Sequence, residues 1–531
     1  MNNILSNSNI KEVFFKSGKY LLVYLVFISF MLFTIISGKN IAHPKFELIT
    51  FVIIAVLGII CIMYYFLHDS SKDLFKVAFV IILLFGIVCS VIVPICDVSD
   101  EVEHLTRAEI TSQGVLIPHW TGDDLGYERL YNHTDGEVSE ECNTDCGYDA
   151  MKSIGFFASN RGDTVFETSQ DTDKINSTNI LWHSAFEQNP FWGYLPQALG
   201  IIIAKLLDLN VIWILWLSRI CNLICYAGLI SLAVKLAPKY KMPLLAVSCI
   251  PITIYQAASA SIDSMIFGFG ILTVAYFIRL CLAENNSVDI KEIIIFSGLC
   301  LFLGLCKLPY LAFIFLLLFI PENKFMNKKH ILWVRIGSVL LIALIGLLWS
   351  RYSTPTLMHS WRSRYNYINP EQQLNFLINH PFQIFKFLQH IFTTDLTFIA
   401  NGLFNFYNPK GEHYIDNYSF ITLALQLFLA FELFTYPCDE KFELKTKLGA
   451  LFVLLTIYIS TCFIQLLTWA GVGQLNMEVT IRYFIPLLAL LPIIFQFNLN
   501  FNLKEKFNNY SIVFIISFMA MLILSFATKY Y

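Results

Sequence analysis

Charge is what this chain has least of. Of its 531 residues only 14% are Asp, Glu, Lys or Arg, while 56% are hydrophobic. A soluble domain carries about 25% charged and about 45–50% apolar residues, so a soluble enzyme is excluded. The formal net charge is -3, which leaves bulk nucleic-acid binding without an electrostatic basis. Internal repeats, low-complexity tracts and a nucleotide-binding Gly-rich loop are also lacking. No spacing of His and Cys supplies the four ligands that zinc wants. What is abundant excludes disorder: the chain holds 48 Phe, 25 Tyr and 9 Trp, and disordered chains are poor in aromatics. An aromatic-rich, charge-poor chain of this length reads as an all-α polytopic membrane protein.

A spanning helix takes about 20 mostly apolar residues. By that test spans are expected near 19–38, 47–67, 75–95, 210–234, 243–259, 264–283, 291–306, 309–320, 331–350, 418–436, 447–466, 481–496 and 511–528, thirteen in all, with 309–320 short. The first follows Lys11, Lys16 and Lys19, exceeds a signal-peptide core and lacks a small-residue cleavage site, so it reads as a retained anchor. Residues 192–207 decide the topology. As a helix lying at the surface, aromatic at its start (Trp192, Tyr194), they leave the lysines at 235–241, 324–329, 441–447 and 504–506 on the cytoplasmic side. Short cytoplasmic loops are enriched in Lys and Arg, and interfacial helices of this kind are physically sound. The expected layout is an N-terminal hairpin (1–74), a membrane core (75–350) with external loop 96–209, a second external loop (351–417) and C-terminal helices (418–531). The N-terminus is cytoplasmic in this reading. Loops of such length are usually functional and should contain short helices.

The third span ends in VIVPICDVSDEVEHLTRAE, which sets Asp97, Asp100, Glu101, Glu103 and His104 at a helix mouth. Apolar surroundings there can raise a carboxylate toward a useful base. A helix over 99–110 would put Asp100, Glu103, His104 and Arg107 on one face, with Glu101 pointing elsewhere. The later acids, Asp123, Asp124, Glu128, Asp135, Glu137, Glu140, Glu141, Asp145 and Asp149, read as a solvated charged loop. Cys142 and Cys146 are either a local disulfide or two free thiols; the remaining cysteines read as membrane filler. Asp263 is either a helix N-cap or a group facing the same side as Asp100. Arg219 lies inside its span and needs a carboxylate or a lipid phosphate as partner. Lys307, Arg482, Tyr483 and the arginines 351, 362 and 364 fall on the outer side, each explicable as a snorkelling residue. Together they set cations against carboxylates at one face, an arrangement suited to phosphate and sugar hydroxyls.

The stretch SDEVEHLTRAE resembles the P-D-E-x-x-H-x-x-R-A signature of a bacterial membrane family, domain-of-unknown-function family twenty-one forty-two, with Ser99 in place of the proline. NPFWGYLPQALG, SRICNL, SASID, CKLPY, NPEQQLNFLINHP and IRYFIPLL follow in the family's order over roughly 75–500, Ile481 standing for a glycine. The family looks related to the C-type glycosyltransferases. That resemblance implies a GT-C-like fold in a bacterial inner membrane and a polyprenyl-phosphate sugar as donor.

On this reading the chain transfers sugar to a cell-envelope glycan or lipid acceptor on the extracytoplasmic face. Asp100 or Glu101 is the expected general base, and His104 orients it or senses pH. Arg219, Lys307 and Arg482 hold the leaving phosphate, Asp263 binds sugar hydroxyls, and Arg107, Tyr194 and Tyr483 complete the substrate-binding set. No cofactor is required, although a divalent cation could sit beside so many carboxylates. The alternatives are a transporter or flippase for lipid-linked glycans, which shares the cations but needs no carboxylate chemistry, and a non-catalytic envelope-assembly protein.

Overall fold

The computed structural model describes residues 7–39, 41–68, 72–121, 147–168, 172–182, 184–326, 328–360, 368–404, 419–477, 479–497 and 504–531. Three long helices lead the chain: α1 (Asn7–Lys39), α2 (Lys45–Leu67) and α3 (Leu74–Ile92). Two shorter ones follow, α4 (Glu101–Ser112) and α5 (Leu195–Leu206). Then come α6 (Ile212–Leu236), α7 (Asp263–Cys281), α8 (Lys328–Ser360), α9 (Leu444–Trp469) and α10 (Lys504–Tyr530). Among the described residues eight helices are long and apolar enough to cross a membrane: all of these except α4 and α5.

Of the thirteen expected spans, eight are full-length apolar helices among the described residues, and the other five stretches are short or broken. Residues 243–259 form two pieces, Lys241–Ser248 and Pro251–Ala257. Residues 481–496 form a 3₁₀ turn, Ile481–Phe484, and two single helical turns, Ile485–Leu488 and Leu491–Ile494. Proline is the reason in each case: Pro251, Pro486 and Pro492 stand at the start of a piece, where the missing N–H is harmless and from which the preceding helix cannot continue. The pieces Met242–Ser248 and Pro251–Ala257 are buried throughout, which is where interrupted backbone is tolerated at membrane depth. Residues 309–320 are wound as a 3₁₀ helix, Leu308–Phe319. At a rise of about 2.0 Å per residue its 12 residues reach about 24 Å. The helices Ile290–Cys306 and Ser419–Phe434 have 17 and 16 residues, about 25 Å each.

Residues 191–206 form a 3₁₀ turn, Phe191–Tyr194, leading into the 12-residue α5. At about 18 Å, α5 is well short of a span. The segment 96–209, expected as the first external loop, also contains a ribbon that the all-α expectation did not include. Its strands β1 (Tyr148–Met151) and β2 (Asn179–Trp182) are antiparallel, Tyr148 opposite Trp182 and Met151 opposite Asn179. In the second segment α8 runs on past Arg351 to Ser360, and the helices Pro370–Asn379, Phe382–His390 and Leu396–Leu403 follow, with a π-helical turn, Ile391–Asp395, before the last. Arg362, Arg364, Cys142, Cys146 and the acids from Asp123 to Asp145 lie outside the described residues, while Asp149 is exposed on β1.

Helix α10 packs against α1, α2 and α3, and α6 packs against α3, α5 and α7. At the start of α10, Asn509 bonds Tyr20 and Tyr65, and Asn508 accepts from Tyr436. Lys239 faces Glu440 and Lys445 faces Glu322, both at 3.9 Å, so the basic loops gather at this end. At the other end of α10, Tyr530 donates to Asp97 at 2.5 Å and Tyr531 to the Ile92 carbonyl at 3.0 Å. The 27 residues of α10 separate the two ends by about 40 Å.

Candidate functional site

The site is built where α3 ends and α4 begins. Asp100 sits in the left-handed region (φ 62°) just before α4, a conformation that Asp tolerates better than most residues. Its carbonyl accepts the His104 N–H. Its carboxylate makes no capping bond and instead meets Arg482 Nη2 at 2.7 Å. The Nε of Arg482 forms an ion pair with Asp263 Oδ2, also at 2.7 Å. Arg482 is thus held between two carboxylates contributed by α4's N-terminus and by α7. Lys307, just after the Ile290–Cys306 helix, lies over the ring of Tyr483. These five side chains and His104 line one cavity of about 1030 Å³. Its wall is also apolar, with Ile266, Leu308, Trp349, Leu357 and Phe398 among the lining residues.

Electrostatics separates these groups. Burial opposes ionisation of Asp100, but the charges of Arg482 and His104 and the bonds from Arg482 and Ser99 outweigh it, and the carboxyl is held below its usual range. Burial lowers Lys307 well below an ordinary lysine, with Asp263 and Asp100 opposing and Arg482 assisting. Burial also takes His104 down to about 4, against the pull of Asp263 and Asp100, so the ring is neutral near pH 7. Its Nδ1 lies 2.8 Å from the Tyr194 hydroxyl, which receives the Asn189 amide at 3.1 Å. The Tyr194 hydroxyl thus links the His104 ring to Asn189.

Four residues expected at the site stand behind it. Glu101 points away from the cavity, as its place on the helix required. It forms a fully buried pair with Arg219, 2.8 Å from Nε and 2.6 Å from Nη2, and accepts the Ala260 N–H at 2.9 Å. Arg219 also donates to the carbonyls of Ser90, Val93 and Pro94. Neither is available to a substrate; together they clamp the end of α3 to α4, α6 and the Ala260 turn. Arg107 is buried and spends its donors on Thr111 and on the carbonyls of Asn189 and Leu116. Tyr194, also buried, acts on the site through His104. The expected phosphate role for Arg219 and base role for Glu101 are corrected accordingly.

Other buried or cavity-lining polar groups escaped the sequence reading, Glu187 outside the cavity lining and four more within it. Glu187 is buried and carries one unpartnered oxygen; burial pushes it up to about 7, against the Ser184 bond and the Arg107 charge. It adjoins the NPFWGY segment, and a carboxylate beside so apolar a run was the available signal. His390, Asp395, Thr461 and Gln465 also line the cavity, and nothing in their local sequence marks them. Among the described residues no group of three or more His, Cys, Asp or Glu side chains is placed to hold a metal ion.

No curated protein matches the chain, and no solved structure does. The family described as predicted membrane protein, DUF2142, matches residues 83–491, a stretch that includes all six of the cavity groups just described. With eight membrane-length apolar helices among its described residues and a family match over most of its length, the chain belongs to the DUF2142 family of membrane proteins.

Proposed function

We propose that the chain is a GT-C-like membrane glycosyltransferase using a polyprenyl-phosphate-linked sugar. The acceptor is a cell-envelope glycan or lipid, met on the extracytoplasmic face of a bacterial inner membrane. One observation carries the reading: a single cavity joins Asp100, Arg482, Asp263 and Lys307 to a broad apolar wall. A lipid-linked sugar phosphate is amphiphilic in the same way. Arg482 and Lys307 hold the phosphate, and the growing charge on its oxygen is stabilised there as the bond breaks. The acceptor oxygen bonds to the anomeric carbon, the bond from that carbon to the phosphate oxygen breaks with its electron pair, and the acceptor proton passes to Asp100. In the resting site Asp100 is a weak base because Arg482 faces it. A phosphate entering beside Asp100 competes for Arg482 Nη2 and adds negative charge there, and both effects raise the basicity of Asp100. Asp263 keeps Arg482 in place, and neutral His104 presents an N–H donor.

A second reading, transport of a lipid-linked glycan, is favoured by the interrupted helices at 241–257 and 481–494, the second of which carries Arg482 and Tyr483 into the cavity, since transporters place such breaks at their binding sites. A transfer assay separates the two. The purified protein is given a panel of polyprenyl-phosphate sugars, and release of free polyprenyl phosphate is followed. Release by the parent and not by Asp100→Asn is expected. Equal release by both variants removes Asp100 from the chemistry, and binding of donors without release in either favours transport.

A further inference from the structure

The cavity has a second polar wall, made by elements of the second external segment and by α9. His390 ends the Phe382–His390 helix, and Asp395 closes the π-helical turn that follows. Thr461 and Gln465 are four residues apart on α9 and so share a face. The π turn is tied to α9 by the Tyr458 hydroxyl, which donates to the Ile391 carbonyl, and π turns of this kind often mark functional sites. Asp395 Oδ1 lies 3.3 Å from His390 Nε2, but Oδ2 is buried without a partner. Gln465 donates to Thr480 at 2.9 Å, which leaves its Oε1 buried without a partner. The Thr461 hydroxyl is in the same state. Asp395, Thr461 and Gln465 are each about 95% buried or more.

Buried polar atoms are ordinarily satisfied, and three orphans on one cavity wall ask for a ligand. The carboxylate and the amide oxygen can only accept, and the threonine hydroxyl can do either. The ligand must therefore offer several donors. A phosphate has none to offer and is repelled by Asp395. Carbohydrate hydroxyls offer many, and the rings of Phe398 and Trp469 on the same cavity provide apolar faces for the C–H side of a pyranose. We propose that His390, Asp395, Thr461 and Gln465 form a carbohydrate subsite, with Asp395 and Gln465 accepting from sugar hydroxyls, opposite in chemical character to the phosphate-binding Arg482 and Lys307. This deepens the glycosyltransferase reading and rests on it for the sugar's part in transfer. The sugar is either the acceptor's or the one carried by the donor.

The test uses the full-length protein in a non-glycosidic detergent. Methyl glycosides of glucose, galactose, mannose, rhamnose and N-acetylglucosamine are titrated by saturation-transfer NMR. Undecaprenyl phosphate, with and without an attached mannose, is titrated by tryptophan fluorescence. At least one glycoside should bind, and Asp395→Asn and the near-isosteric Thr461→Val should each weaken it tenfold or more, with undecaprenyl phosphate affinity within twofold of the parent. If the variants weaken only the free glycosides, the subsite holds the acceptor; if they also remove the extra affinity that mannose gives the lipid, it holds the donor sugar. The proposal is overturned if no glycoside binds the parent, if the variants bind as the parent does, or if Thr461→Val at parental Tm loses both ligand types alike. Glycoside binding that depends on Asp395, with no binding of undecaprenyl phosphate, would keep the subsite and remove the glycosyltransferase reading.

Discussion

Asp100 and Glu101 are adjacent acids with opposite surroundings, and substitution should separate them. The Asp100 carboxylate is half-buried at the cavity and touches Arg482. Asp100→Asn should keep Tm within a few degrees of the parent and lower transfer by 10²–10⁴-fold, the usual contribution of a positioned base. Glu101 is fully buried with Arg219, and removing one partner of such a pair costs about 3–5 kcal/mol. Glu101→Gln should therefore lower Tm and yield, while the folded fraction turns over within about tenfold of the parent. A stable Glu101→Gln protein without activity would reverse the two assignments. His104 adds a pH dependence. Its folded pKa of about 4 lies below the ordinary 6.5, so below pH 6.5 the unfolded chain takes up a proton that the folded chain refuses. The stabilisation is present above pH 6.5 and lost as pH falls toward 4, up to about 3 kcal/mol in all. Tm should drop between pH 7 and 5 in the parent and drop less in His104→Gln; parallel curves would remove His104 as the cause.

Elements place these residues through close backbone contact. A Cβ at Gly200 would lie 2.4 Å from the Leu217 carbonyl carbon and oxygen, so α5 can meet α6 only through a glycine. The 3₁₀ turn leading into α5 carries Tyr194, the partner of His104. Gly200→Val should lower stability by about 1–3 kcal/mol through overpacking and reduce transfer beyond that loss. Gly298→Ala, with open space around it, should leave Tm unchanged or slightly higher. An unaffected Gly200→Val protein would show that α5 does not position the site. Hydropathy located the long apolar helices but not the continuity of every apolar run. The apolar runs over 243–259 and 481–496 read as spans because hydropathy ignores where proline interrupts the chain, and Leu308–Phe319 read as helix without revealing its 3₁₀ winding. Helical spacing did foresee that Glu101 departs from the face of Asp100 and His104. It could not foresee the Arg219 clamp, because Arg219 lies 118 positions away and only the packing of α3 on α6 brings it there.

At the scale of the whole molecule charge is sorted along α10. The loops carrying Lys239, Lys445 and Lys324 meet near its start, and the cavity group lies around the end of α3 near its finish. The cavity collects side chains from α4, α7, the Lys307 turn and the Ile481–Phe484 turn. Order along the chain located each of these on one face, whereas the Asp100–Arg482–Asp263 contact exists only once the bundle closes. If short basic loops mark the cytoplasmic side, the α7-to-Ile290 turn, joined to the Lys324 loop through Asn286 and Asn323, is cytoplasmic and the cavity external. A short epitope inserted after the exposed Asn285 should bind antibody only once spheroplasts are permeabilised. The same epitope after the exposed Ile117, beyond α4, should bind it on intact spheroplasts. The opposite pattern would invert the bundle and put the cavity in the cytoplasm, against the extracytoplasmic reaction proposed for it. Both epitopes on one side would require an even number of crossings between them where α6, the buried broken pair at 241–257 and α7 make three, and would refute the arrangement of the bundle itself.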